Sequence, residues 1–422
     1  MAFCAVQLAF GQGVQTTISV YLNQLDFSRY PKVDLYATFV DKYSEPIQLS
    51  PADTLRFDVV HKNLPVGITD VRSVIELKQK GESELYLCMV FDNSQSMMGR
   101  TQLLEEAALR FVDSLKVGDY VSITDFGDGK VRVKVPELSK SIYARSKTPF
   151  SNSKPFLRKN ISTNIMTDQT FLYDALMYAL STLNGVHALG RKALVLFSDG
   201  FDNASVSNRA AIENLIQRYT IPVFAIDLNE RENPTLKKLA VMSGGEYFFV
   251  KQAVDLGPLY QTILKWLKGQ YRLTYDSPEA SISGDAYPIR LSMRDLYAGQ
   301  SSKTFMVDGE NIGFYNLMYL ETMGQENLKN YLDYVSNFPN SKHGDNVQLK
   351  MGKFWRQRGE YSKSLAVYNI ILRNQLSSAY NDALLEKADL YKAAKKYAEA
   401  QEAYKLLIGS QVSGSVRARA LL

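Results

Sequence analysis

The sequence predicts a multidomain protein: a doubly wound α/β domain, a β-sandwich flanking it, and α-helical repeats towards the C-terminal end. Three observations carry this prediction. Residues 84–268 alternate apolar strand-like runs with helical patterns, as in a mostly parallel sheet covered on both faces. Residues 15–82 and 270–308 show short alternating segments rich in aromatic and β-branched residues, the mark of half-buried strands. From about residue 325 to 422 the pattern is helical, and two segments repeat with an offset of 36 residues. A chain of 422 residues is too long for one ordinary core, so several domains are expected.

Residues 1–14, opening MAFCAVQLAFGQG, resemble the tail of an export signal that lacks its basic leader; a buried first strand is the alternative. In TISVYLNQLD the residues Ile18, Val20 and Leu22 alternate with polar ones, and KVDLYATFVD repeats the pattern with Val33, Leu35 and Ala37. YSEP and NLPVG supply turns. A small β-sandwich over 15–82 follows, completed after the central domain by QYRLTYDS, YPIRLSMRD and SKTFMV.

The central domain opens with ELYLCMVF, a nearly unbroken apolar run expected of a strand buried on both faces. Leu103, Leu104, Ala107, Ala108, Phe111 and Leu115 then recur at helical spacing. DYVSITDF and KVRVKV read as strands, FLYDALMYALSTL as a helix and ALVLFS as a strand. Helices near 207–219 and 234–242 precede the strands IPVFAIDL and GEYFFV, and VDLGPLYQTILKWLKG closes the series. That last helix would present Leu256, Leu259, Ile263 and Trp266 to the sheet.

In the C-terminal part, GEYSKSLAVYNIIL aligns with KKYAEAQEAYKLLI, so that Tyr361 falls on Tyr397, Ser364 on Ala400 and Tyr368 on Tyr404. In the preceding helix Gly352 falls on Ala388 and Trp355 on Tyr391. Small residues where paired helices touch, with large aromatics beside them, are what stacked helix pairs need. This pattern resembles the tetratricopeptide repeat, with Ser364 where alanine is usual. LKNYLDYVSNFPNS reads as half of an earlier unit, and SVRARALL as the start of a further helix.

The excess of 49 Lys+Arg over 44 Asp+Glu gives a net charge of +5, too mild for the dense basic stripe of a nucleic-acid binder. Cys4 and Cys88 give no reason for a disulfide framework, and the scattered histidines His61, His187 and His343 form no Cys/His metal pattern. After residue 14 no stretch approaches the ~18 apolar residues of a membrane span. Walker loop, nucleophile elbow and zinc signatures are absent, and Asp125-Phe126-Gly127 stands without the companion motifs of a kinase. The chain is therefore expected not to be an enzyme.

The candidate chemistry sits where strands end. MVFDNSQSMMG places Asp92, Ser94 and Ser96 at alternate positions after the first strand; Thr170 enters a helix in TDQTFLYDAL; Asp199 follows ALVLFS. In a doubly wound sheet, ligands bind beyond the carboxyl ends of the strands. Two carboxylates and three hydroxyls form a hard, all-oxygen set suited to Mg²⁺, with Mn²⁺ or Ca²⁺ as alternatives. The plain alternative is that Asp92 and the serines cap a helix or tie a loop without metal.

With these residues in place, the central segment resembles the von Willebrand factor A (VWA) domain, whose metal-ion-dependent adhesion site has the pattern Asp-x-Ser-x-Ser, a distant Thr and a distant Asp. The resemblance implies that Ser94, Ser96 and Thr170 touch the metal directly, and that Asp92 and Asp199 do so directly or through water. It also implies that an open coordination position takes an Asp or Glu carboxylate from a protein partner. Gln95 stands where many family members have glycine, and a positive φ there would strain the loop.

Residues 140–167 hold Lys140, Arg145, Lys147, Lys154, Arg158 and Lys159 with no acid. They are expected to form a basic, mobile loop near the metal face that steers an acidic partner; a solvated insertion is the alternative. The reading is a bacterial adhesion or assembly protein, exported to the periplasm or cell surface, whose repeats dock a second protein. Two rivals remain. One is a structural scaffold with a vestigial metal site; the other is a cytoplasmic regulatory subunit of an ATP-driven assembly machine.

Overall fold

The computed structural model describes residues 18–27, 29–80, 84–127, 135, 141–161, 168–186, 190–251, 256–278, 286–294, 300–306, 309–322, 324–325, 327–339, 341, 343–374, 377 and 379–409. The signal-like residues 1–14, almost all of KVRVKV and the final helix from Ser415 lie outside them. Two compact units divide the chain, Met1–Val307 and Asp308–Leu422. Among the described residues no helix is long and apolar enough to cross a membrane.

The first unit begins with β1 (Ile18–Asp26), β2 (Lys32–Asp41), β3 (Phe57–His61), β4 (Leu64–Val66), β5 (Ile68–Ser73) and a short α1 (Val74–Gln79). It continues with β6 (Glu84–Asp92), α2 (Thr101–Asp113), β7 (Asp119–Phe126), β8 (Arg145–Ser151), α3 (Lys154–Asn160), α4 (Leu172–Asn184) and β9 (Gly190–Ser198). Then come α5 (Arg209–Tyr219), β10 (Val223–Asp227), α6 (Pro234–Ser243), β11 (Tyr247–Phe249) and α7 (Leu256–Lys268). It closes with β12 (Tyr271–Asp276), β13 (Ala286–Met293) and β14 (Gln300–Met306).

The central sheet has the order β11-β10-β9-β6-β7-β8, and every pairing is parallel except β7 with β8. Successive side chains of a strand point to opposite faces, and β6 shows it. Leu85, Leu87, Met89 and Phe91 join Leu104, Ala108 and Phe111 of α2 and Ile263 of α7 in one core. Cys88 and Val90 join Leu172, Ala175 and Leu176 of α4 and Ile212 of α5 in the other. A strand covered on both faces has to be apolar throughout, which is why ELYLCMVF is so nearly unbroken. Tyr260 of α7 is fully buried, and its ring stacks on Phe197 at 5.2 Å.

Two further sheets, each of four strands, have the orders β1-β2-β12-β5 and β14-β13-β3-β4. Both draw strands from before and after the central domain: β12 pairs with β2 and β5, and β13 pairs with β3, all antiparallel. Side chains of the two sheets meet where the Phe39 and Phe57 rings lie 5.2 Å apart and where His61 Nδ1 and the Tyr275 hydroxyl lie 2.8 Å apart.

Simple alternation fails on β2, which is buried from Val33 to Val40 on both faces. The reason is that its sheet is also covered on the side of the central domain. Asn23 donates to the Gly244 carbonyl at 2.8 Å, the Gln24 side chain accepts from the Lys192 amide at 2.8 Å, and Thr220 donates to the Leu25 carbonyl at 2.9 Å. A register shift between Leu22 and Gln24 turns Asn23 and Gln24 into these contacts.

Residues 145–160 depart from the expected loop. They form β8, the antiparallel edge strand, and α3, whose Leu157 joins the core beside α2. Lysines and a proline on the outward side mask an amphipathic pattern in this stretch.

The second unit contains α8 (Gly309–Thr322), α9 (Leu328–Asn337), α10 (Gly344–Gln357), α11 (Tyr361–Ile371), α12 (Tyr380–Ala393) and α13 (Tyr397–Gly409). Helix therefore begins at Gly309, before the expected boundary near 325. In the α10–α11 pair, a Cβ on Gly352 would lie 2.2 Å from the Tyr368 ring, and the Ser364 hydroxyl donates to the Gly352 carbonyl at 2.8 Å. In the α12–α13 pair the matching Ala388 and Ala400 are buried, and the Tyr404 hydroxyl donates to Asp389. A small residue is thus buried at the matching positions of both hairpins, and in the first it lies directly against the tyrosine of the facing helix.

Candidate functional site

Strand β6 ends at Asp92, a buried residue whose carboxylate is held from two directions. Oδ1 accepts from the Ser94 amide at 2.9 Å, which folds the chain sharply after the strand. Oδ2 accepts from the Ser198 hydroxyl at 2.6 Å, which reaches across from the end of β9. The Ser94 and Ser96 hydroxyls lie 3.0 Å apart, with Ser94 buried and Ser96 exposed. A short 3₁₀ turn, Gln95–Met97, carries the second serine. Gln95 is not among the residues with positive φ; that conformation falls on Gly99 at φ 85°. The glutamine is therefore accommodated without strain.

The loop after β9 carries Asp199 and is bonded to the segment that holds Thr170. Asp199 is buried next to Ser198, whose oxygen also accepts from the Gly200 amide at 2.9 Å. Asn203 clasps Thr170: its side-chain oxygen accepts from the Thr170 amide at 2.8 Å, and its own amide donates to the Thr170 carbonyl at 3.2 Å. Phe171, at the N-cap of α4, has no capping side chain. The caps come from the same distant loop, with Asp202 accepting from the Tyr173 amide at 3.0 Å and Ser205 from the Asp174 amide at 3.1 Å. Asp174, buried, returns the tie by accepting from the Ser207 amide at 2.8 Å. Three chain segments are thus bonded together at the carboxyl ends of β6 and β9.

From the other side the loop after β6 rests on β7. Asn93 donates its side-chain amide to Asp125 at 2.9 Å and its backbone amide to the Phe126 carbonyl at 2.9 Å. Gly127 follows at φ 121°, and a Cβ there would lie 2.9 Å from the Asn93 carbonyl carbon. Only glycine combines that φ with so close an approach. Lys147 on β8 pairs with Asp125 at 3.7 Å and so lies near this loop. The other basic candidates are elsewhere. Arg158 pairs with Asp113 at 2.5 Å, and Lys154 donates to the Asp113 carbonyl at 2.6 Å. Asp113 ends α2, at the opposite end of the sheet from Asp92, because α2 runs back against β6; Lys159 lies on the same short α3.

Electrostatics favour a cation between the loops. Burial pushes the Asp92 carboxyl up to about 6, and the charge of Asp199 adds to the rise against the hydrogen bonds from Ser198 and Ser94. A carboxylate penalised in this way gains most from a positive ion beside it. Among the described residues no three His, Cys, Asp or Glu side chains converge as a metal cluster. The candidate set is of another kind, two carboxylates supplemented by hydroxyls, and every donor is a hard oxygen fitted to a small divalent ion.

Sequence reading missed Ser198, Asn203, Asp202, Asp174 and Gly127. The serine of FSDG and the DN pair of FDNAS were the visible signals, but their roles depend on a neighbour more than 25 residues away.

Residues 87–262 match the von Willebrand factor type A domain family. No curated protein matches the chain. Several solved structures resemble it. Proximal thread matrix protein 1 from the mussel byssus, with a zinc-occupied MIDAS motif, is 18% identical over 45% of this chain and 47% of its own, with a TM-score of 0.37. The chain thus spans about half the length of that mussel protein. A von Willebrand factor type A protein from Catenulispora acidiphila is 11% identical over 98% of this chain and 97% of its own, with a TM-score of 0.37. The VWA domain of SpRpn10 is 12% identical over 42% of this chain and 93% of its own, with a TM-score of 0.32. By the family match, the chain contains a von Willebrand factor type A domain, matched over residues 87–262.

Proposed function

We propose that the protein is a non-enzymatic binding protein that holds a divalent cation, Mg²⁺ in the first instance, between Asp92, Ser94, Ser96, Thr170 and Asp199. The ion would keep an open coordination position for an Asp or Glu carboxylate of a protein partner. The observation that carries this reading is the buried Asp92 carboxylate, raised in pKa beside Asp199, next to serine hydroxyls that reach solvent at Ser96. Lys147 lies close enough to the loop to influence an approaching acid; Lys154, Arg158 and Lys159 would act only as a remote surface.

A second reading is favoured by the same bonds. The Ser94 amide satisfies Asp92, and the two serine hydroxyls satisfy each other without an ion. A scaffold with a vestigial site would look the same. Calorimetric titration of the whole chain with Mg²⁺ or Mn²⁺, wild type against Asp92→Ala, separates the two. Saturable heat lost in the variant supports the cation reading; identical traces support the scaffold.

The two antiparallel sheets are read as one β-sandwich discontinuous in sequence, and the helical hairpins as tetratricopeptide-like repeats that dock a second protein. We place the protein outside the cytoplasm, in the periplasm or at the cell surface of a bacterium. Fractionation of the native cell tests this, and a cytosolic, unprocessed chain would favour the regulatory-subunit alternative.

A further inference from the structure

We infer that the pole of the central domain opposite the candidate cation site docks on an anionic lipid surface, with Val117 entering the headgroup region and the lysines around it meeting the phosphates. The docking needs no cation at the other pole. The chain passes from α2 to β7 through residues 114–118, at the amino ends of the parallel strands. There the Leu85 amide donates to the Gly118 carbonyl at 3.1 Å, and Leu85 pairs with Asp119. β7 runs eight residues from Asp119 to Phe126, the partner of Asp92, so the two poles lie roughly 25 Å apart.

Cations converge on this turn from three other elements. Lys78 of α1 pairs with Asp119 at 2.5 Å, Lys268 of α7 donates to the Ser114 carbonyl at 3.2 Å, and Lys154 of α3 donates to the Asp113 carbonyl at 2.6 Å. Arg158 of α3 pairs with Asp113 at 2.5 Å, and Lys116 lies in the turn itself. Five cations thus gather around the two carboxylates of Asp113 and Asp119. Their charges act on one another. Burial lowers the pKa of Lys268, Asp119 opposes the fall, and Lys116, Lys78 and Lys154 add to it.

Val117, between Lys116 and Gly118, is 92% exposed. The Asp119 amide donates to the Lys116 carbonyl at 3.0 Å and closes a four-residue turn with Gly118 at φ 82°, so Val117 stands at the apex, outside the core. Ile75, 60% exposed, precedes Lys78 by three residues on α1, the spacing that puts both on one helix face.

The pairing of charge with an apolar apex sets what fits there. A soluble polyanion is held by charge and gains little from a valine. A lipid surface uses both: the apolar side chain enters, lysine stems lie along the interface, and the ammonium groups reach the phosphates. Four of the five cations are lysines, point charges suited to a diffuse negative surface rather than to the bidentate recognition for which arginine is built. Docking at this pole leaves the candidate cation site facing away from the bilayer.

The test is flotation of the full chain with vesicles of phosphatidylcholine, alone or with about one third phosphatidylglycerol, at low salt and at about 0.5 M NaCl. The mixed vesicles should carry the protein at low salt and release it at high salt, and the neutral ones should leave it behind. Lys116→Gln/Lys154→Gln should weaken partitioning roughly twenty-fold, at about five-fold per lysine. Val117→Ser, a change at an exposed apex that leaves the core intact, should weaken it roughly five-fold while retention on heparin stays unchanged. Lys237→Gln/Lys238→Gln on α6 removes the same charge elsewhere and should change little. Equal flotation with neutral and anionic vesicles overturns the docking, as does an equal loss in the α6 variant, which would leave only attraction by net charge. Undiminished flotation of Val117→Ser overturns it in favour of a surface for soluble polyanions.

Discussion

The Ser198 hydroxyl donates to Asp92 Oδ2 at 2.6 Å, joining the ends of two adjacent parallel strands whose chain positions are far apart. That bond lowers the cost of keeping the Asp92 charge inside the protein. Ser198→Ala removes it, and the Gly200 amide loses its acceptor as well. Mg²⁺ affinity measured by calorimetry should fall by roughly three- to ten-fold, equivalent to about 1 kcal/mol, with the fold retained. Unchanged affinity would mean that the serine does not position the carboxylate.

Burial pushes the Asp92 carboxyl up to about 6 in the folded chain, from an ordinary 3.8. The folded state therefore binds more protons between those values, so its contribution to stability is present below pH ~4 and is lost as pH rises through about 6. Glu246, also pushed up to about 6 by burial, acts in the same direction. Comparing wild type with Asp92→Asn isolates the first group. Without metal the variant should be the more stable at pH 7.5, by on the order of 2 kcal/mol, and the gap should close near pH 4. Added Mg²⁺ should raise the melting temperature of the wild type alone. Thermal denaturation at the two pH values checks both signs.

Gly127→Ala places a Cβ 2.9 Å from the Asn93 backbone at a φ of 121°. Gly359, at φ 75° with nothing within 4 Å of an added Cβ, is the control. The control substitution should cost about 1 kcal/mol through backbone strain alone. At Gly127 the cost should exceed that, and Mg²⁺ affinity should drop, because the end of β7 that supports the Asn93–Ser94 turn has to move. Equal losses measured by urea unfolding would contradict the close approach.

The Tyr260 hydroxyl is buried without a hydrogen-bond partner among the described residues, while its ring packs on Phe197 and Phe111. Tyr260→Phe removes an unsatisfied polar group without changing shape. Stability should rise by about 1 kcal/mol. A loss of stability in urea unfolding would show that the hydroxyl has a partner.

These contacts also explain what could be read from residues alone. Asp92, Ser94 and Ser96 were legible because an apolar run ending in oxygen-bearing side chains at alternate positions is a local signal. Gly352 and Tyr368 were legible because a second copy stands 36 residues later. β2 was only half legible: its polar Asp34 and Thr38 look outward in the sequence but are buried, accepting from Thr274 and donating to Asn23 respectively. α3 was hidden because Lys154, Arg158 and Lys159 mask the one buried position, Leu157. Ser198, Asn203 and Gly127 could not be found, since each acts on a residue that only the folded chain brings near.

Crystals soaked in Mn²⁺ and measured for anomalous scattering would test the central claim most directly. One strong peak is expected at bonding distance from the Ser94 and Ser96 hydroxyls, with Thr170, Asp92 and Asp199 around it directly or through water. A map without a peak there, or with Mn²⁺ bound only elsewhere, would contradict it.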